Sequence, residues 1–346
     1  MVTSVLVTGG IGYVGSHVAV ELIEKGFDVH LVDNFSNSSV QQLDGIRQII
    51  SPSKSVSFYE ANIGDTEKIQ KILREQNIKA VIHCAGDKSV AESVLMPLKY
   101  YDNNVGSSIS LFKAMESCGV SILIFSSSAT VYGIPKGIAI SEQAQTAPVN
   151  PYGKTKLTIE NILNDLCRSG SKWKTMNLRY FNPAGAHVSG LIGDRFDNHP
   201  SNLFPIICQV LTGKRENLSV YGNNYDTADG TGERDYIHIC DLAKAHVEAL
   251  QFLLQSHNSP IPGALNLGIG KSVSVLEVIR AFEDSCNLQI PYKIETQRPG
   301  DIGKYFADPR AAQKNLSWTP QKSLKDMCRD TWRWAQNSAS TTVDEN

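Results

Sequence analysis

Short runs of consecutive apolar residues recur along the first half of the chain, and between them apolar residues repeat every three or four positions. The apolar runs are SVLVTGG, DVHLVDN, VSFYEAN, AVIHCAG, ILIFSSS and TMNLRYFNP. Continuous apolar strands are typical of a parallel sheet whose two faces are both covered by helices. The pattern therefore predicts a doubly wound parallel α/β sheet over residues 1–183.

The pattern changes after residue 183. Residues 185–232 are rich in Gly, Asn, Asp and Pro around one apolar helical stretch, Leu203–Leu211, and such loops often carry binding groups. Farther on, the run ALNLGIG, the helix-like SVLEVIRAFEDS and an amphipathic stretch near Leu324–Ala335 predict that the chain revisits the sheet. We expect a smaller mixed α/β substrate-binding region over residues 184–337, in which Asp241 caps a helix beginning at Leu242, and a disordered tail over residues 338–346.

Composition and charge narrow the class of protein. With 346 residues, 41% of them hydrophobic, and a net charge of −2, the chain has room for a large core and lacks the basic excess of a nucleic-acid-binding protein. No apolar run approaches the roughly 20 residues of a membrane-spanning helix, and the start of the chain lacks a secretory pattern. The cysteines are scattered, with no cluster spaced for a metal. We expect a cytoplasmic protein with free thiols, no metal site, and neither nucleic acid nor membrane as a partner.

A glycine-rich turn follows the first predicted strand. In VLVTGGIGYVGSH, Gly9, Gly12 and Gly15 lie where the strand passes into a helix, so that backbone N–H groups and the helix N-terminus can meet a pyrophosphate. The second predicted strand ends in Asp33, the acid that this motif requires. A carboxylate there accepts hydrogen bonds from an adenosine ribose and repels a 2′-phosphate. The first region is therefore predicted to be a Rossmann-type domain that binds NAD rather than NADP.

Tyr152 and Lys156 lie four residues apart in NPYGKTK and would share one face of a helix. A tyrosine is inert as a base at neutral pH unless positive charge favours its phenolate. We expect the ammonium of Lys156 and the positive ring of an oxidised nicotinamide to lower the pKa of Tyr152 toward the operating pH. Upstream, FSSSATVYG ends a strand, where open α/β sheets present ligands. This places Ser128 at the site and leaves Ser126 and Ser127 to satisfy backbone groups.

The spacing GxxGxxG, combined with YxxxK, resembles the extended short-chain dehydrogenase/reductase family, and further segments resemble its nucleotide-sugar epimerases. These segments are DNFSNSS, SVAESVLMPLKYYDNNV, RYFNPAGAH, GTGERDYIHICDLAKAH and RPGDIGKYFAD, so the resemblance runs from residue 2 to about residue 335. It implies an NAD-dependent isomerase that interconverts UDP-galactose and UDP-glucose. The sugar is oxidised at C4′, the 4-keto sugar turns over in the pocket, and it is reduced on the opposite face. A UDP-hexose substrate and a homodimer are also implied.

The resemblance assigns roles to individual residues. Tyr152 is the catalytic base, Lys156 also holds the nicotinamide ribose, and Ser128 lies on the proton path. The implied cofactor contacts are Gly9, Gly12, Tyr13, Val14, Gly15, Asp33, Asn34, Asn37, Ser38, Asn62, Ile63, Cys84, Ala85, Gly86, Lys88, Asn103, Ser128, Tyr152, Lys156 and Phe181. The implied substrate contacts are Lys88, Ser128, Tyr152, Asn182, Asn202, Leu203, Ser219, Val220, Tyr221, Arg234, Arg298, Asp301 and Tyr305.

Several positions depart from the family pattern or bear on specificity. Asn62 stands where members usually carry an aspartate for adenine, and an amide oxygen can still accept that hydrogen bond. Cys84 replaces an aromatic residue and Asp87 an apolar one, which bears on cofactor packing; Cys84 is interpreted as a small buried hydrophobe. Tyr305 stands where a bulky residue excludes N-acetylated sugars, so the resemblance predicts little activity on UDP-N-acetylhexosamines.

Two other classes of protein share this fold. Related 4,6-dehydratases carry acidic residues in the segment that here reads Ala129–Thr130. Without them, the keto sugar lacks an obvious acid and base for elimination. A regulatory binding module would keep the glycine turn and usually lose one residue of the pair Tyr152 and Lys156, both of which are present. An isomerase is the interpretation that the sequence favours.

Overall fold

The computed structural model describes residues 2–135, 139–170, 172–196, 200–256, 261–298 and 301–341. Its strands are β1 (Ser4–Thr8), β2 (Asp28–Asp33), β3 (Ser57–Glu60), β4 (Ala80–His83), β5 (Ile122–Ser128), β6 (Ala139–Ile140), β7 (Lys174–Tyr180), β8 (Asn182–Ala184), β9 (Leu218–Tyr221), β10 (Glu233–Arg234), β11 (Tyr236–His238), β12 (Ala264–Leu267), β13 (Val273–Ser274), β14 (Tyr292–Glu295) and β15 (Lys304–Ala307). Its α-helices are α1 (Tyr13–Glu24), α2 (Val40–Ile49), α3 (Thr66–Glu75), α4 (Val90–Leu95), α5 (Pro97–Tyr100), α6 (Ser107–Ser117), α7 (Pro151–Arg168), α8 (Leu203–Leu211), α9 (Ile239–Gln255), α10 (Val275–Cys286), α11 (Arg310–Leu316) and α12 (Leu324–Thr341). Within these ranges, no helix combines the length and apolar character that crossing a bilayer requires.

The predicted parallel sheet is confirmed. Its strands pair in parallel in the order β12-β7-β5-β4-β1-β2-β3, and each apolar run of the first half forms one of them. Side chains of β1 alternate between two apolar layers. Val5 and Val7 pack toward α1, α2 and α9, whereas Leu6 packs toward α3 and α6. Helices therefore cover both faces, which explains why the strands are continuously apolar.

The second half of the chain forms a smaller region and also returns to the large sheet. α9 packs against α1, and β12 pairs with β7. The other strands form a four-stranded sheet, β13-β10-β15-β6, and two pairs, β8 with β11 and β9 with β14. α8, α10 and α12 share an apolar core that includes Phe204, Phe282 and Met327. Because β8 follows β7 directly, this region begins at the carboxyl end of the large sheet, where such sheets bind ligands.

The prediction that Asp241 caps the N-terminus of α9 is wrong. The helix begins at Ile239 rather than Leu242, and the side chain of His238 caps it by accepting a hydrogen bond from the N–H two residues on, at 3.1 Å. Asp241 lies in the first turn. Its Oδ2 accepts from both backbone N–H groups of the segment Gln321–Lys322, each at 2.8 Å. Asp241 is therefore engaged by a segment distant in the sequence, which no local pattern reveals.

The C-terminal helix is longer than expected. α12 runs to Thr341, so residues 338–341 are helical where a disordered tail was predicted from residue 338; residues 342–346 lie outside the described ranges. Trp334 Nε1 donates to Asp194 O at 2.9 Å, and Asn337 Nδ2 donates to Gly190 O at 2.9 Å. This docking on a distant loop stabilises the last turns of the helix, and composition alone does not reveal it.

A buried ion pair ties α7 to the sheet. Arg179 of β7 donates from Nη2 to Glu160 Oε2 at 2.6 Å and from Nη1 to Tyr132 Oη at 3.0 Å. Ser127 of β5 donates to the same carboxylate at 2.5 Å. Because the two charges meet each other and further hydrogen-bonding groups, the cost of burying them is offset. The pair holds α7 against β5 and β7.

Candidate active site

A cleft opens at the carboxyl ends of the parallel strands, beside the loops of the second region. Every residue for which the sequence implies a cofactor contact lines it, namely Gly9, Gly12, Tyr13, Val14, Gly15, Asp33, Asn34, Asn37, Ser38, Asn62, Ile63, Cys84, Ala85, Gly86, Lys88, Asn103, Ser128, Tyr152, Lys156 and Phe181. Asn182 and Asn202, implied as substrate contacts, also line the cleft. The fold therefore gathers residues from across the first 202 positions at one edge of the sheet.

The glycine turn after β1 fits a diphosphate. Gly9 has a φ of +63°, a conformation that glycine adopts without strain. A Cβ on Gly15 would lie 2.1 Å from Gly9 O, and a Cβ on Gly9 would lie 2.8 Å from Ala85 N. A side chain at either position would displace backbone. Glycine at both positions lets the turn pack this closely at the N-terminus of α1, and such a helix N-terminus can bind an anion.

Asp33 ends β2 inside the cleft. Its Oδ1 accepts from Ser38 Oγ at 2.8 Å and from Phe35 N at 3.0 Å. These bonds orient the carboxylate and leave lone pairs for a ligand, since an ionised carboxylate offers about four acceptor sites. Asn62 also lines the cleft, and its Oδ1 accepts a hydrogen bond from Gly64 N at 2.8 Å. This arrangement suits the hydroxyls of an adenosine ribose.

Tyr152 and Lys156 lie one turn apart near the start of α7, as their spacing predicts. The Oδ1 of Asn150 caps this helix by accepting from Gly153 N at 2.8 Å, and Pro151 occupies the first helical position. Both side chains of the pair are buried. The motif NPYGKTK thus contains both the signal that starts the helix and the reactive groups that the helix presents.

The chain alone does not make Tyr152 a base at neutral pH. Burial raises the pKa of Tyr152 to about 12, although a hydrogen bond with Ser128 opposes this. Lys156 Nζ donates to Ser126 O at 2.8 Å and lies 5.8 Å from the centre of the Tyr152 ring, and burial lowers its own pKa to about 8. The prediction is that Lys156 and the nicotinamide ring together lower this pKa. In the chain without that ring, desolvation is the larger effect on Tyr152, and the joint effect stays a prediction.

The three serines at the end of β5 have three different kinds of partner. Ser126 Oγ lies 2.7 Å from His246 Nε2, and Ser127 Oγ donates to Glu160 Oε1 at 2.5 Å. Ser128, on the cleft wall, accepts from the N–H and the hydroxyl of the residue two positions on, at 3.2 and 2.9 Å. The expectation that Ser126 and Ser127 satisfy backbone groups is wrong. Their hydroxyls bind side chains far away in the sequence, which the motif does not reveal.

The remaining residues with implied substrate contacts lie outside the cleft lining, on β9, β10 and β15, at the start of α8 and in nearby loops. We call five of them, Tyr221, Arg234, Arg298, Asp301 and Tyr305, the arginine cluster. Arg234 Nη2 donates to Asp301 Oδ1 at 2.5 Å, and the guanidinium carbon lies 5.2 Å from the Tyr305 ring centre. Arg298 stacks on Tyr221, with 3.7 Å between guanidinium carbon and ring centre. Two delocalised cations are thus held in place by aromatic faces and a carboxylate.

The arginine cluster adjoins the cleft through aromatic rings. Phe181 lines the cleft, and its ring centre lies 5.8 Å from that of Tyr305. Three other residues with implied substrate contacts lie outside the arginine cluster. Ser219 is half-buried on β9, Leu203 begins α8, and the Val220 side chain is buried in the apolar core, so Val220 can meet a ligand only through its backbone.

Several residues that line the cleft were missed by sequence reasoning. Thr130 follows strand β5, and Tyr180 is the last residue of strand β7. Both could have been predicted, because open α/β sheets bind ligands at the carboxyl ends of their strands. Asp194 and Arg195 come from a loop and reach the cleft only in the folded chain. Asp194 Oδ1 accepts from Lys88 Nζ at 2.9 Å, so the ammonium of Lys88, an implied cofactor and substrate contact, is held by a carboxylate at the cleft.

α7 brings its tyrosine and lysine to the same edge of the sheet as the glycine turn, an arrangement that defines a short-chain dehydrogenase/reductase of the extended type. Comparison with known proteins narrows this class. The family model described as GDP-mannose 4,6 dehydratase matches residues 6–331. The chain is 48% identical to the UDP-glucose 4-epimerase of Bacillus subtilis (strain 168), over 97% of this chain and 98% of that protein.

Solved structures give the same result. The UDP-glucose-4-epimerase of Stenotrophomonas maltophila, with bound NAD and formylated UDP-arabinopyranose, is 45% identical and matches with a TM-score of 0.94 over 98% of this chain and 99% of that chain. The enzyme from Bifidobacterium longum, in complex with NAD+ and UDP, is 44% identical with a TM-score of 0.90, over 97% and 99%. The chain therefore belongs to the UDP-glucose 4-epimerase family.

The low pKa of Lys156 predicts a stability effect that depends on pH. The folded chain binds the Lys156 proton more weakly than the unfolded chain, so wild-type stability rises between about pH 8 and pH 10.5. In protein stripped of nucleotide, we expect Lys156→Met to be more stable than wild type at pH 7, by on the order of 3 kcal/mol at most. Urea denaturation at pH 7 and pH 10 measures this. A variant that is less stable by the same amount at both pH values would contradict it.

Proposed function

We propose that the protein is an NAD-dependent isomerase that interconverts UDP-galactose and UDP-glucose. The observation that carries the proposal is that Tyr152, Lys156 and Ser128 line one cleft with the glycine turn. In this reaction the sugar is oxidised at C4′, the 4-keto sugar turns over, and it is reduced on its opposite face. Such a cycle needs a group that takes a proton and later returns it, and a phenol can do both.

The residues of the cleft fit NAD as the cofactor. The glycine turn would hold its diphosphate, Asp33 its adenosine ribose and Lys156 its nicotinamide ribose. When bound, NAD supplies a hydride acceptor and donor at C4′ together with a positive ring charge. The phenolate of Tyr152 is favoured by such a charge, which opposes the effect of burial on the tyrosine pKa.

Tyr152 takes the proton from the 4′-hydroxyl and returns it when the sugar is reduced. The Ser128 hydroxyl lowers the pKa of this phenol. Thr130 Oγ1 donates to Ser128 Oγ at 2.9 Å, so the Ser128 proton is left to turn toward the phenol or the sugar. The pKa of Lys156, about 8, leaves its ammonium charged at neutral pH, where it supports the phenolate.

A sugar-nucleotide dehydratase is the second candidate, because the matching family model carries that description. Elimination from the keto sugar requires an acid and a base beyond Tyr152. Ala129 is buried, and the hydroxyl of Thr130 is bound to Ser128. Neither side chain ionises near neutral pH, so this segment supports reduction of the keto sugar rather than elimination.

The arginine cluster is suited to the nucleotide part of the substrate. Arg234 and Arg298 can donate charge-assisted hydrogen bonds to a diphosphate, and Asp301 can accept from ribose hydroxyls. The bond between Arg234 and Asp301 orients both groups before a ligand arrives. We therefore assign UDP binding to this cluster and the sugar to the adjoining cleft.

A homodimer is the assembly that we infer. α4, α5 and α6 and the segments between them expose a series of apolar side chains, which are Val90, Val94, Leu95, Met96, Leu98, Tyr101 and Ile109. Leu95 and Leu98 are 81% and 82% exposed. Apolar surface of this extent marks an interaction site, and a second copy offers an equally apolar face about a two-fold axis.

The thiols bear on the cellular compartment. All seven cysteines are unpaired, and three of them, Cys208, Cys240 and Cys328, are buried. Free thiols persist where the environment is reducing. We infer that the protein works in the cytoplasm, which fractionation of cells would check.

Replacing Tyr152 by Phe removes the proton acceptor. We expect Tyr152→Phe to lower turnover of UDP-galactose by roughly 10²- to 10⁴-fold, with bound NAD retained because the glycine turn and Asp33 are unchanged. The assay uses purified protein without added NAD and identifies the product, and the NAD released on denaturation is quantified. A fully active variant would show that another group is the base, and a 4-keto-6-deoxy product from wild type would identify a dehydratase.

Tyr305 is expected to restrict the size of the sugar. Tyr305→Ser should raise turnover of UDP-N-acetylglucosamine relative to UDP-galactose by roughly 10- to 200-fold, the range that a change in pocket size supplies. Tyr305→Phe keeps the ring and is the matched control, for which the ratio should stay close to that of wild type. Comparable turnover of both substrates by wild type would refute the assignment.

The apolar face formed by α4, α5 and α6 is expected to be covered by a second copy. Leu98→Asp should shift the molar mass measured by light scattering from twice 37.9 kDa to 37.9 kDa, because an unpaired carboxylate is costly to bury. Val188→Asp is the control, since Val188 is exposed but lies elsewhere. A monomeric wild type at micromolar concentration would rule out the dimer.

A further inference from the structure

The end of β5 connects the reactive lysine to a histidine of the second region. The main-chain oxygen of Ser126 accepts from Lys156 Nζ at 2.8 Å, and the hydroxyl of the same residue lies 2.7 Å from His246 Nε2. His246 is fully buried on α9, and Ser126 is 1% exposed. One residue of the strand therefore joins the active-site ammonium to a side chain that lies outside the cleft lining.

The protons in this arrangement can be assigned from its chemistry. His246 Nδ1 lies 2.9 Å from Leu242 O, and a carbonyl only accepts, so Nδ1 carries the proton. Burial lowers the pKa of His246 to about 4, so the ring is neutral at working pH and Nε2 is an acceptor. The Ser126 hydroxyl therefore donates to His246, and its oxygen is left to accept from Cys84 Sγ at 3.2 Å. Each polar group has one consistent role.

We propose that His246 is a positioning residue for Lys156, a proposal that rests on the isomerase function put forward above. By accepting the Ser126 hydroxyl, His246 fixes the end of β5 and with it the main-chain oxygen that holds the ammonium. Lys156 is placed by this oxygen beside Tyr152. α9 thereby contributes to the geometry of the reaction without touching the sugar or the cofactor.

The groups around Lys156 explain why its protonation depends on the main-chain oxygen of Ser126. The titratable groups that face it are Tyr152 and Glu160 of α7, His83 at the end of β4, and Cys84, which follows β4. Glu160 is engaged by Arg179. His83 is buried and Cys84 is half-buried, and both are neutral near pH 7 because desolvation lowers the pKa of His83 to about 3 and raises that of Cys84 to about 11. A hydrogen bond to the charged form favours it. Loosening the bond to Ser126 therefore makes the ammonium lose its proton at lower pH.

Steady-state kinetics of the NAD-containing enzyme with UDP-galactose test the proposal. His246→Leu, which leaves the Ser126 hydroxyl without its acceptor, should lower kcat roughly tenfold with little change in KM, the size of effect that a small misplacement produces. The alkaline limb of the kcat profile should move to lower pH by at least about half a unit, since the ammonium is less well held. His246→Gln, whose side-chain oxygen can accept from Ser126, should recover most of kcat and of the wild-type profile.

Matched variants separate positioning from general damage. Ser126→Ala should reproduce the loss and the shift of the alkaline limb, and adding it to His246→Leu should cost little more, because both changes break the same bond. Ser256→Ala is the control, since this hydroxyl at the end of α9 donates to Phe252 O at 2.6 Å and touches neither Lys156 nor Glu160, and it should leave the pH profile in place.

The outcomes distinguish this inference from the function on which it rests. Unshifted pH profiles and near-wild-type kcat in Ser126→Ala would overturn the role of His246, even if His246→Leu failed to fold. The same loss and shift in Ser256→Ala would overturn it too, since the effect would then be general. A wild-type protein that does not convert UDP-galactose would instead overturn the proposed function.

Discussion

The burial of one ammonium group, that of Lys156, is the constraint on which the rest of the site depends. Removing a charge from water is costly unless the protein supplies compensating contacts. Here these contacts are the oxygen of Ser126 at 2.8 Å and the face of Phe125 at 4.8 Å from the ring centre. A carboxylate in contact would hold the ammonium more firmly, but it would also cancel the field that a phenolate at Tyr152 needs. A carbonyl and an aromatic face stabilise the charge and leave it effective.

The same constraint explains the neighbouring ion pair. Glu160 lies one turn beyond Lys156 on α7, close enough for its charge to raise the lysine pKa. Its oxygens are occupied by Arg179 and by Ser127, so the carboxylate is neutralised by a cation outside the cleft. The alternation of β5 makes this possible, because Ser127 points to one side of the sheet while Ser126 and Ser128 point to the other. One strand end thereby separates the ion pair of Glu160 and Arg179 from the buried ammonium of Lys156.

Much of the fold and most of the cleft could be predicted from the sequence because their signals are local. Continuous apolar strands, the glycine turn and the placement of Tyr152 and Lys156 on one helix each depend on neighbouring residues, and all form as expected. The predictions that were wrong for Asp241 and Ser126 concern residues whose partners are distant in the sequence. Asp241 is taken by the segment Gln321–Lys322, and Ser126 by a histidine 120 residues away. A partner brought by the fold outweighs a weak local preference, and one sequence carries no mark of where that partner lies.

The two ends of the site differ in a way that bears on the chemistry. In the arginine cluster, to which we assign the nucleotide, Arg234 is fixed by a carboxylate and Arg298 by an aromatic face, so a diphosphate would meet charges that are already oriented. Around Tyr152, where we place the sugar, the cleft offers the hydroxyls of Ser128, Thr130 and Tyr152, whose single hydrogen bonds are weaker than charge-assisted ones. A keto sugar held by its nucleotide and only lightly by its own oxygens can turn over without leaving. The asymmetry between oriented charges and neutral hydroxyls is therefore the physical basis on which one tyrosine can serve both faces of the same carbon.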